Sequence, residues 1–566
     1  MSSQAAMQKP VMWERLFERE SAPNLSLQGR VRQMLVSAIL SGHLPPGMPV
    51  PSSRQLADQL CIARNTVVFA YQQLVSEGYL VSRERSGHFV CDSVMQGHSG
   101  SVPDPTAAML DVEAPQRVRW DERLRFRPSQ QRNITKPQDW QKQPYPFVYG
   151  QFDADLFPTA EWRECCIKAL SVLDIRSWAP DLITHDDPAL IEQIRTQVLP
   201  RRGVWADAEE IVITVGAQHA LYLLADLLVN EDTVVGMEDP GYPDARNIFA
   251  SHTRHLLPMP VDEGGLCTGT HLLGCDYVFV TPGHQCPTTV TLSMERRETL
   301  LALARQADSM IIEDDFESES RWGEGAIPAL KSQDRDGRVI YVGSLAKSFA
   351  PGLRIGYIVA PRELTRELRA LRRLMLRHPS AYIQRAFSLF ISLGHHHSLL
   401  RKQSQAYQRR GAELAHALAR HLPDFTPTPI TGSSSCWLQG PPWLNAAQLS
   451  EAALAEGVVV EPGDVFFMNG ADAPRNFLRV GFTSIRPELI EPGIAKLARW
   501  CAGIGCGRRR RRGPRSARGS GGTLRRPATD ARHLCTLQML VPQVIPAIQQ
   551  PLPQPPERGE QVPGQR

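Results

Sequence analysis

Four short stretches of this sequence end apolar runs with side chains that can do chemistry. In YVGSLAKSFAPGLRIGY, Tyr341 to Tyr357, Lys347 sits in a turn between two apolar runs, with Ser344 before it and Arg354 after it. SMIIEDDFESE delivers Asp314 and Asp315 at the end of an apolar run, and VVGMEDPGYPDA leads to Tyr242. EIVITVGAQHALYLLADLLV turns at Gly216, Ala217 and Gln218 into an amphipathic helix. All four are strand-to-loop junctions, the places where open α/β sheets bind ligands. A helix start offers free N–H groups to an anion. Tyr242 offers a flat ring for stacking, Asp314 a carboxylate and Lys347 a primary amine. Singly these signals are weak, because a loop lysine is ordinarily solvated and a strand-end aspartate is as often structural.

Together they are what a pyridoxal phosphate site requires. The lysine condenses with the aldehyde as a Schiff base. The carboxylate keeps the ring nitrogen protonated, and serine, arginine and backbone amides hold the dianionic phosphate. Their order resembles the fold-type I aminotransferases over most of residues 146–500. The resemblance implies Lys347 as the Schiff-base lysine, Asp314 as the pyridinium partner, Tyr242 as the stacking ring, and Ser344 with Arg354 as phosphate ligands. Ala217 and Gln218 then add backbone or amide contacts. In NFLRVGFTSI the resemblance places Arg479 where that family's arginine grips a carboxylate, here that of an effector.

The chain also departs from the pattern. The strand-end motif, usually EDDY, reads EDDF, so Phe316 has no hydroxyl for the cofactor's phenolic oxygen. In TPGHQCPTTV, Cys286 stands where the family has an aromatic or an asparagine, and Thr289 where it has a glycine. THDDPALIEQI lacks the expected glycine, with Ile191 at the arginine position. His284 or Gln285 is the expected replacement donor. A phenolate with fewer donors lets the Schiff base hold its proton to higher pH, so slow proton-transfer catalysis is expected.

The N-terminal region carries a different chemistry. In GRVRQMLVSAILSGHLPPG, Val31, Met34, Leu35, Ala38 and Ile39 recur at helical spacing and Gly42 ends the run. PSSRQLADQL is a short helix that Ser52 or Ser53 can cap, with Leu56, Ala57 and Leu60 inward. RNTVVFAYQQLVSEG is a third helix, with Val67, Tyr71 and Leu74 inward and Gly78 as stop, and YLVSRERSGHFV reads as a hairpin. This is a winged helix. Arg64, Asn65 and Thr66 open its third helix, where a recognition helix meets the major groove. Ser53 and Arg54, and Arg83, Arg85 and His88 in the wing, supply further contacts. PSSRQLA through GHFV resembles the GntR-type winged helix, with Ala63 where that family often has Ser.

These two parts set the organisation. We expect an α/β chain: a winged-helix DNA-binding domain at 1–92, a Pro, Asp, Gln and Arg-rich linker at 93–145, an aminotransferase-like domain at 146–503, and a low-complexity Arg/Pro-rich tail at 504–566. The aminotransferase-like part combines a mainly parallel sheet with a smaller C-terminal α+β subdomain. The 566 residues have room for three such parts, and the apolar (42%) and charged (22%) fractions are those of a globular protein. Net charge is +4, but from Cys501 onward 12 Arg face 3 acids, a surplus of nine, so the first 500 residues carry −5. Any nucleic-acid contact there must come from a local patch. The run Arg508–Arg512 either touches nucleic acid or is a solvated tail.

No run of about 18 uncharged apolar residues suggests a spanning helix, and no secretory signal opens the chain. The eleven cysteines lack metal-ligand spacing, so reduced thiols, no metal and a cytoplasmic setting are expected. A winged helix joined by a linker to such a domain resembles the MocR/GabR transcription factors. That resemblance implies a homodimer whose heads bind double-stranded DNA, each packed on the partner subunit. It also implies that the pyridoxal phosphate domain senses an amine, an amino acid or the cofactor itself. The alternative is an active aminotransferase with an appended DNA-binding head.

Overall fold

Backbone hydrogen bonding divides this chain as the periodicity does. The computed structural model describes residues 13–19, 25–84, 86–92, 118–181, 185–317, 327–430 and 432–511, and two compact units meet in sequence between Arg127 and Pro128.

The first unit contains α1 (Trp13–Arg19), α2 (Leu27–Leu40), α3 (Ser53–Gln59), α4 (Arg64–Ser76), β1 (Leu80–Arg83) and β2 (Gly87–Val90). Every residue read as inward in α2, α3 and α4 is buried, in one cluster around Val31, Leu35, Leu56 and Val67. Ser52, not Ser53, caps α3, its hydroxyl accepting from the Gln55 amide. Ala63 occupies the N-cap of α4 with no side-chain cap. The strands pair antiparallel from Leu80–Val90 to Arg83–Gly87, forming the wing.

The second unit is built on an eight-stranded sheet. Its strands are β3 (Ile211–Thr214), β4 (Val234–Asp239), β5 (His255–Asp262), β6 (Gly265–Leu266), β7 (Tyr277–Val280), β8 (Met310–Asp315), β9 (Val339–Ser344) and β10 (Gly356–Val359). Their order is β3-β10-β9-β8-β7-β4-β5-β6. The neighbours from β9 to β5 pair parallel, whereas β10 runs antiparallel to both its neighbours and β6 to β5. The central strands read as near-continuous apolar runs because both sheet faces are covered, one by the cluster around Phe349, Phe387 and Phe390 and the other by that around Leu221, Phe249 and Leu368. Helices α5 (Thr159–Ala169) and α6 (Val172–Trp178) precede the sheet, α7 (Gly216–Leu228) follows β3, α8 (Pro243–Ala250) follows β4, and α9 (Ala346–Phe349) follows β9.

A smaller sheet, β11 (Thr426–Pro427), β12 (Ser435–Gln439), β13 (Glu461–Pro462) and β14 (Phe477–Gly481), is antiparallel in the order β11-β12-β14-β13. It shares a core with α10 (Pro487–Arg511), so helix continues past the expected start of the tail at 504. Residues 512–566 and 93–117 lie outside the described residues. The rest of the expected linker is informative. Residues 128–145 belong to the second unit, held there by hydrogen bonds together with Ile134 and Tyr145, which pack against hydrophobic clusters. Arg132 Nη2 and Nη1 donate to the carbonyls of Asp464 (2.6 Å) and Phe467 (3.1 Å), and Arg246 and Asn247 donate to the Arg132 carbonyl. Among the described residues no helix is long and apolar enough to cross a membrane.

Candidate functional site

β8 ends in three consecutive carboxylates, and strand alternation sends them to opposite faces. Glu313 accepts from the amides of Leu330 (2.8 Å) and Lys331 (2.7 Å). Asp315 takes a two-pronged ion pair from Arg202 (2.7 and 3.1 Å) and the Tyr341 hydroxyl (2.7 Å). Asp314, between them, lines a cavity of about 300 Å³, and its buried Oδ1 has no hydrogen-bond partner. Burial, with the charge of Asp315, pushes its carboxyl up to about 7.

Lys347 enters the same cavity from α9. Its Nζ stands 4.2 Å from the centroid of the Tyr149 ring and 5.6 Å from that of Phe316. Burial holds its pKa below that of an ordinary lysine, with Glu317 opposing and Arg479 adding to the shift. The result favours the neutral, nucleophilic amine. Gly150 makes room for it: at φ +70°, a Cβ there would lie 2.8 Å from Nζ.

The other wall suits an anion. Ala217 and Gln218 line the cavity at the start of α7, whose N-cap Val215 gives no side-chain cap. That leaves first-turn N–H groups available. Arg354, in the left-handed region at φ 52°, donates to the Val215 carbonyl (3.1 Å). Its guanidinium lies where a Cβ on Gly216 would come within 3.2 Å. Ser344 and Tyr242 complete this side, with the Tyr242 hydroxyl donating to Asp244 at 3.1 Å.

Of the cofactor residues expected from the sequence, all but His284 line this cavity. His284 lines a small adjoining cavity that shares Tyr149, Cys286, Phe316 and Arg479 with it, and its Nε2 stands 3.7 Å from the Glu317 carboxylate. Gln285 donates to the Glu238 carboxylate and to the Pro240 and Cys286 carbonyls and accepts from Thr288. Phe316, without a hydroxyl, lines the Lys347 cavity with Cys286. Sequence reasoning missed Tyr149, Asn133 and Lys136, which also line it; they come from a segment without periodicity.

Arg479 reaches the cavity from β14, but it is already engaged. Its Nε donates to Glu461 on β13 at 2.7 Å, and both side chains are 3% exposed. Its guanidinium is stacked 4.0 Å from the Tyr149 ring centroid and 4.6 Å from that of Phe466.

In the first unit, Arg54, Arg64, Asn65 and Arg83 are exposed, and Ser53 and Thr66 half-buried. Arg64 Nε reaches to 3.5 Å from Ser53 Oγ, and Arg83 lies over the Phe89 ring at 4.4 Å. His88 is half-buried, edge-on to Tyr71 and 2.9 Å from Ser82 Oγ. Arg85 lies outside the described residues.

Comparison with known proteins agrees with this two-part architecture. The family of bacterial regulatory proteins, gntR family, matches residues 27–90, and aminotransferase class I and II matches residues 155–497. The HTH-type transcriptional regulator TauR of Rhodobacter capsulatus is 40% identical, over 84% of this chain and 96% of its own length. The chain belongs to the MocR-type family of HTH-type transcriptional regulators. The probable rhizopine catabolism regulatory protein MocR of Rhizobium meliloti is 30% identical over 84% of this chain and 93% of its own. Among solved structures, LysN, the α-aminoadipate aminotransferase of Thermus thermophilus, complexed with N-(5'-phosphopyridoxyl)-L-leucine, is 26% identical. It covers 68% of this chain and 99% of its own, with a TM-score of 0.61. The fold is that of the fold-type I aminotransferases, a family that typically binds pyridoxal phosphate.

The residues present fit that group. An orphaned carboxyl oxygen, a shielded amine and an uncapped helix start beside an arginine are matched to a ring N–H, an aldehyde and a phosphate.

The Glu461–Arg479 pair allows a direct test. Glu461→Gln leaves the buried Arg479 charge unpaired and should destabilise the large domain by roughly 3–5 kcal/mol. The apolar double replacement Glu461→Met with Arg479→Met should recover most of that loss. The midpoint of the large-domain transition in urea measures both.

Proposed function

We propose that this regulator binds pyridoxal phosphate at Lys347 and uses it to sense a small amine or amino acid, the occupied and empty states differing in affinity for double-stranded DNA. The observation that carries this reading is the unpartnered Asp314 Oδ1, buried in the same cavity as the Lys347 amine. A buried polar atom without a partner costs about 1–3 kcal/mol, and a protonated ring nitrogen of a ligand removes that cost.

When bound, the cofactor supplies an aldehyde that an amine can attack and a ring that accepts electrons. The chain's own groups do the rest. Lys347 presents an amine whose proton burial loosens. Asp314 takes up the ring N–H as a carboxylate, Tyr242 covers the ring, and the start of α7 with Ser344 and Arg354 holds the phosphate. Arg479 orients the effector's acid group, and Phe316 contributes a ring but no hydroxyl. With Phe316 and Cys286 in place of donors, the cavity suits reversible capture of an amine better than rapid proton transfer. Sensing also requires an effector bound unequally by two states, since equal binding shifts nothing. Arg54, Arg64, Asn65, Thr66, Ser53 and Arg83 present the DNA-contacting face.

We propose a homodimer as the working form. Ile167, Leu170, Val172 and Leu173, on and between α5 and α6, are 63%, 52%, 67% and 78% exposed. Such a patch marks an association surface. Sedimentation equilibrium should give twice the chain mass, and Val172→Asp with Leu173→Asp should give the monomer; a monomeric parent would refute the proposal.

The sensing reading is tested by gel shift on the chain's own upstream DNA, with pyridoxal phosphate and a panel of amines. The parent's DNA affinity should change about 5- to 150-fold, the range of ordinary allosteric coupling. Lys347→Ala should keep basal DNA binding and lose the response, and borohydride reduction of the parent should label residue 347. A response that survives in Lys347→Ala, or a label elsewhere, overturns the mechanism. For Phe316→Tyr, the added hydroxyl stabilises the phenolate, so the pH titration of the visible band should move to lower pH; identical titrations would remove that role for position 316.

A further inference from the structure

Residues 131–137 form a strap with open space on both sides. On one side Asn133, Ile134 and Lys136 line the Lys347 cavity. On the other, the strap lines a second cavity of about 520 Å³, against the helix Ala446–Leu454 and the segment 459–465. Its fastenings are mostly polar, with one apolar contact where Ile134 packs on the cluster of Cys286, Trp437 and Phe466. Arg132 donates to the Asp464 and Phe467 carbonyls, the Asn133 amide to Asp244, and Lys136 Nζ to the Tyr149 carbonyl at 3.1 Å.

Lys136 also stands 3.7 Å from Glu461 Oε1, an oxygen without a hydrogen-bond partner. The other oxygen of that carboxylate already accepts from Arg479 Nε. The arginine and glutamate alone cancel, leaving little field to attract an anion. With Lys136 added, two cations face the one Glu461 carboxylate, and the Lys136 ammonium is ion-paired to it at 3.7 Å without a hydrogen bond. Burial, opposed by Glu461 and reinforced by Arg479, lowers its pKa.

We propose that Lys136 is the residue by which this chain selects amines that carry an acid group, reading the anion from the strap and not only from Arg479. This rests on the sensing function proposed above. The effector class is a small amine bearing a carboxylate or similar oxyanion. Toward the N-terminus the strap continues in sequence toward the winged helix.

The test uses the pyridoxal phosphate-loaded full chain and two matched pairs, glycine with methylamine and β-alanine with ethylamine, followed by visible absorption. In the parent, the acid of at least one pair should bind more tightly than its amine. Lys136→Met should weaken that acid roughly 10- to 100-fold, the range for losing a hydrogen bond to a charged group, and move its amine by less than about twofold. Lys136→Arg should restore most of the preference. Hydrogen exchange of residues 128–140 should respond to the acid in the parent and not in Lys136→Met. A parent that shows no preference, or a Lys136→Met protein that keeps it, overturns the inference. A visible band missing before any amine is added is a different result: it sinks the cofactor reading itself and this inference with it.

Discussion

The bidentate pair between Arg202 and Asp315 is the constraint on which the site depends. Three adjacent carboxylates at one buried strand end would repel one another and carry a large desolvation cost. The chain resolves this by giving two of them fixed partners: Glu313 holds two backbone amides, and Asp315 holds Arg202 and Tyr341. Only Asp314 is left with an oxygen unsatisfied. Because β8 and β9 are parallel with Val342 opposite Asp314, the loop after β9 begins beside that carboxyl. The position of Lys347 follows from this register. Functional chemistry here is what remains after the structural demands of the strand end have been met.

Much of this was legible in the sequence because the determining residues are local. The inward residues of α2, α3 and α4 repeat at helical spacing, and the head's core forms from them. Lys347 and Tyr242 follow apolar strands and Asp314 lies at the end of one, where a parallel sheet gathers them, while Arg354 just precedes the apolar strand β10. His284 also follows a strand, but Gln285 ties its loop to the Pro240 carbonyl, and the His284 ring lines an adjoining small cavity beside Glu317. Position in a hairpin likewise does not tell how far a side chain such as the half-buried His88 packs against the core.

The strap was illegible because no local pattern encodes it. Its composition reads as linker, and its order comes largely from contacts more than a hundred residues away, mostly between side-chain donors and backbone carbonyls. Such contacts leave no period in the sequence. Glu461 was missed for the same reason: its partner Arg479 is on the adjacent strand of a small antiparallel sheet, and pairing across strands is invisible until the register is known.

These features bear on how a transferase scaffold can serve as a sensor. An enzyme needs donors around the phenolic oxygen to drive proton transfer quickly, whereas a sensor needs only that capture of a ligand change the energy of something beyond the cavity. Here the hydroxyl is gone at Phe316, while the cavity wall includes a segment continuous in sequence with the chain leading to the DNA-binding unit. That segment is fastened mainly by polar contacts, with Ile134 its one apolar anchor, and it borders two open volumes. A wall packed by apolar side chains would resist displacement, because every lost contact costs dispersion energy and leaves a void. A wall held by hydrogen bonds can exchange them, since a departing donor finds water or an incoming anion. The polar strap is therefore the part of the cavity whose energy a small charged ligand can change most.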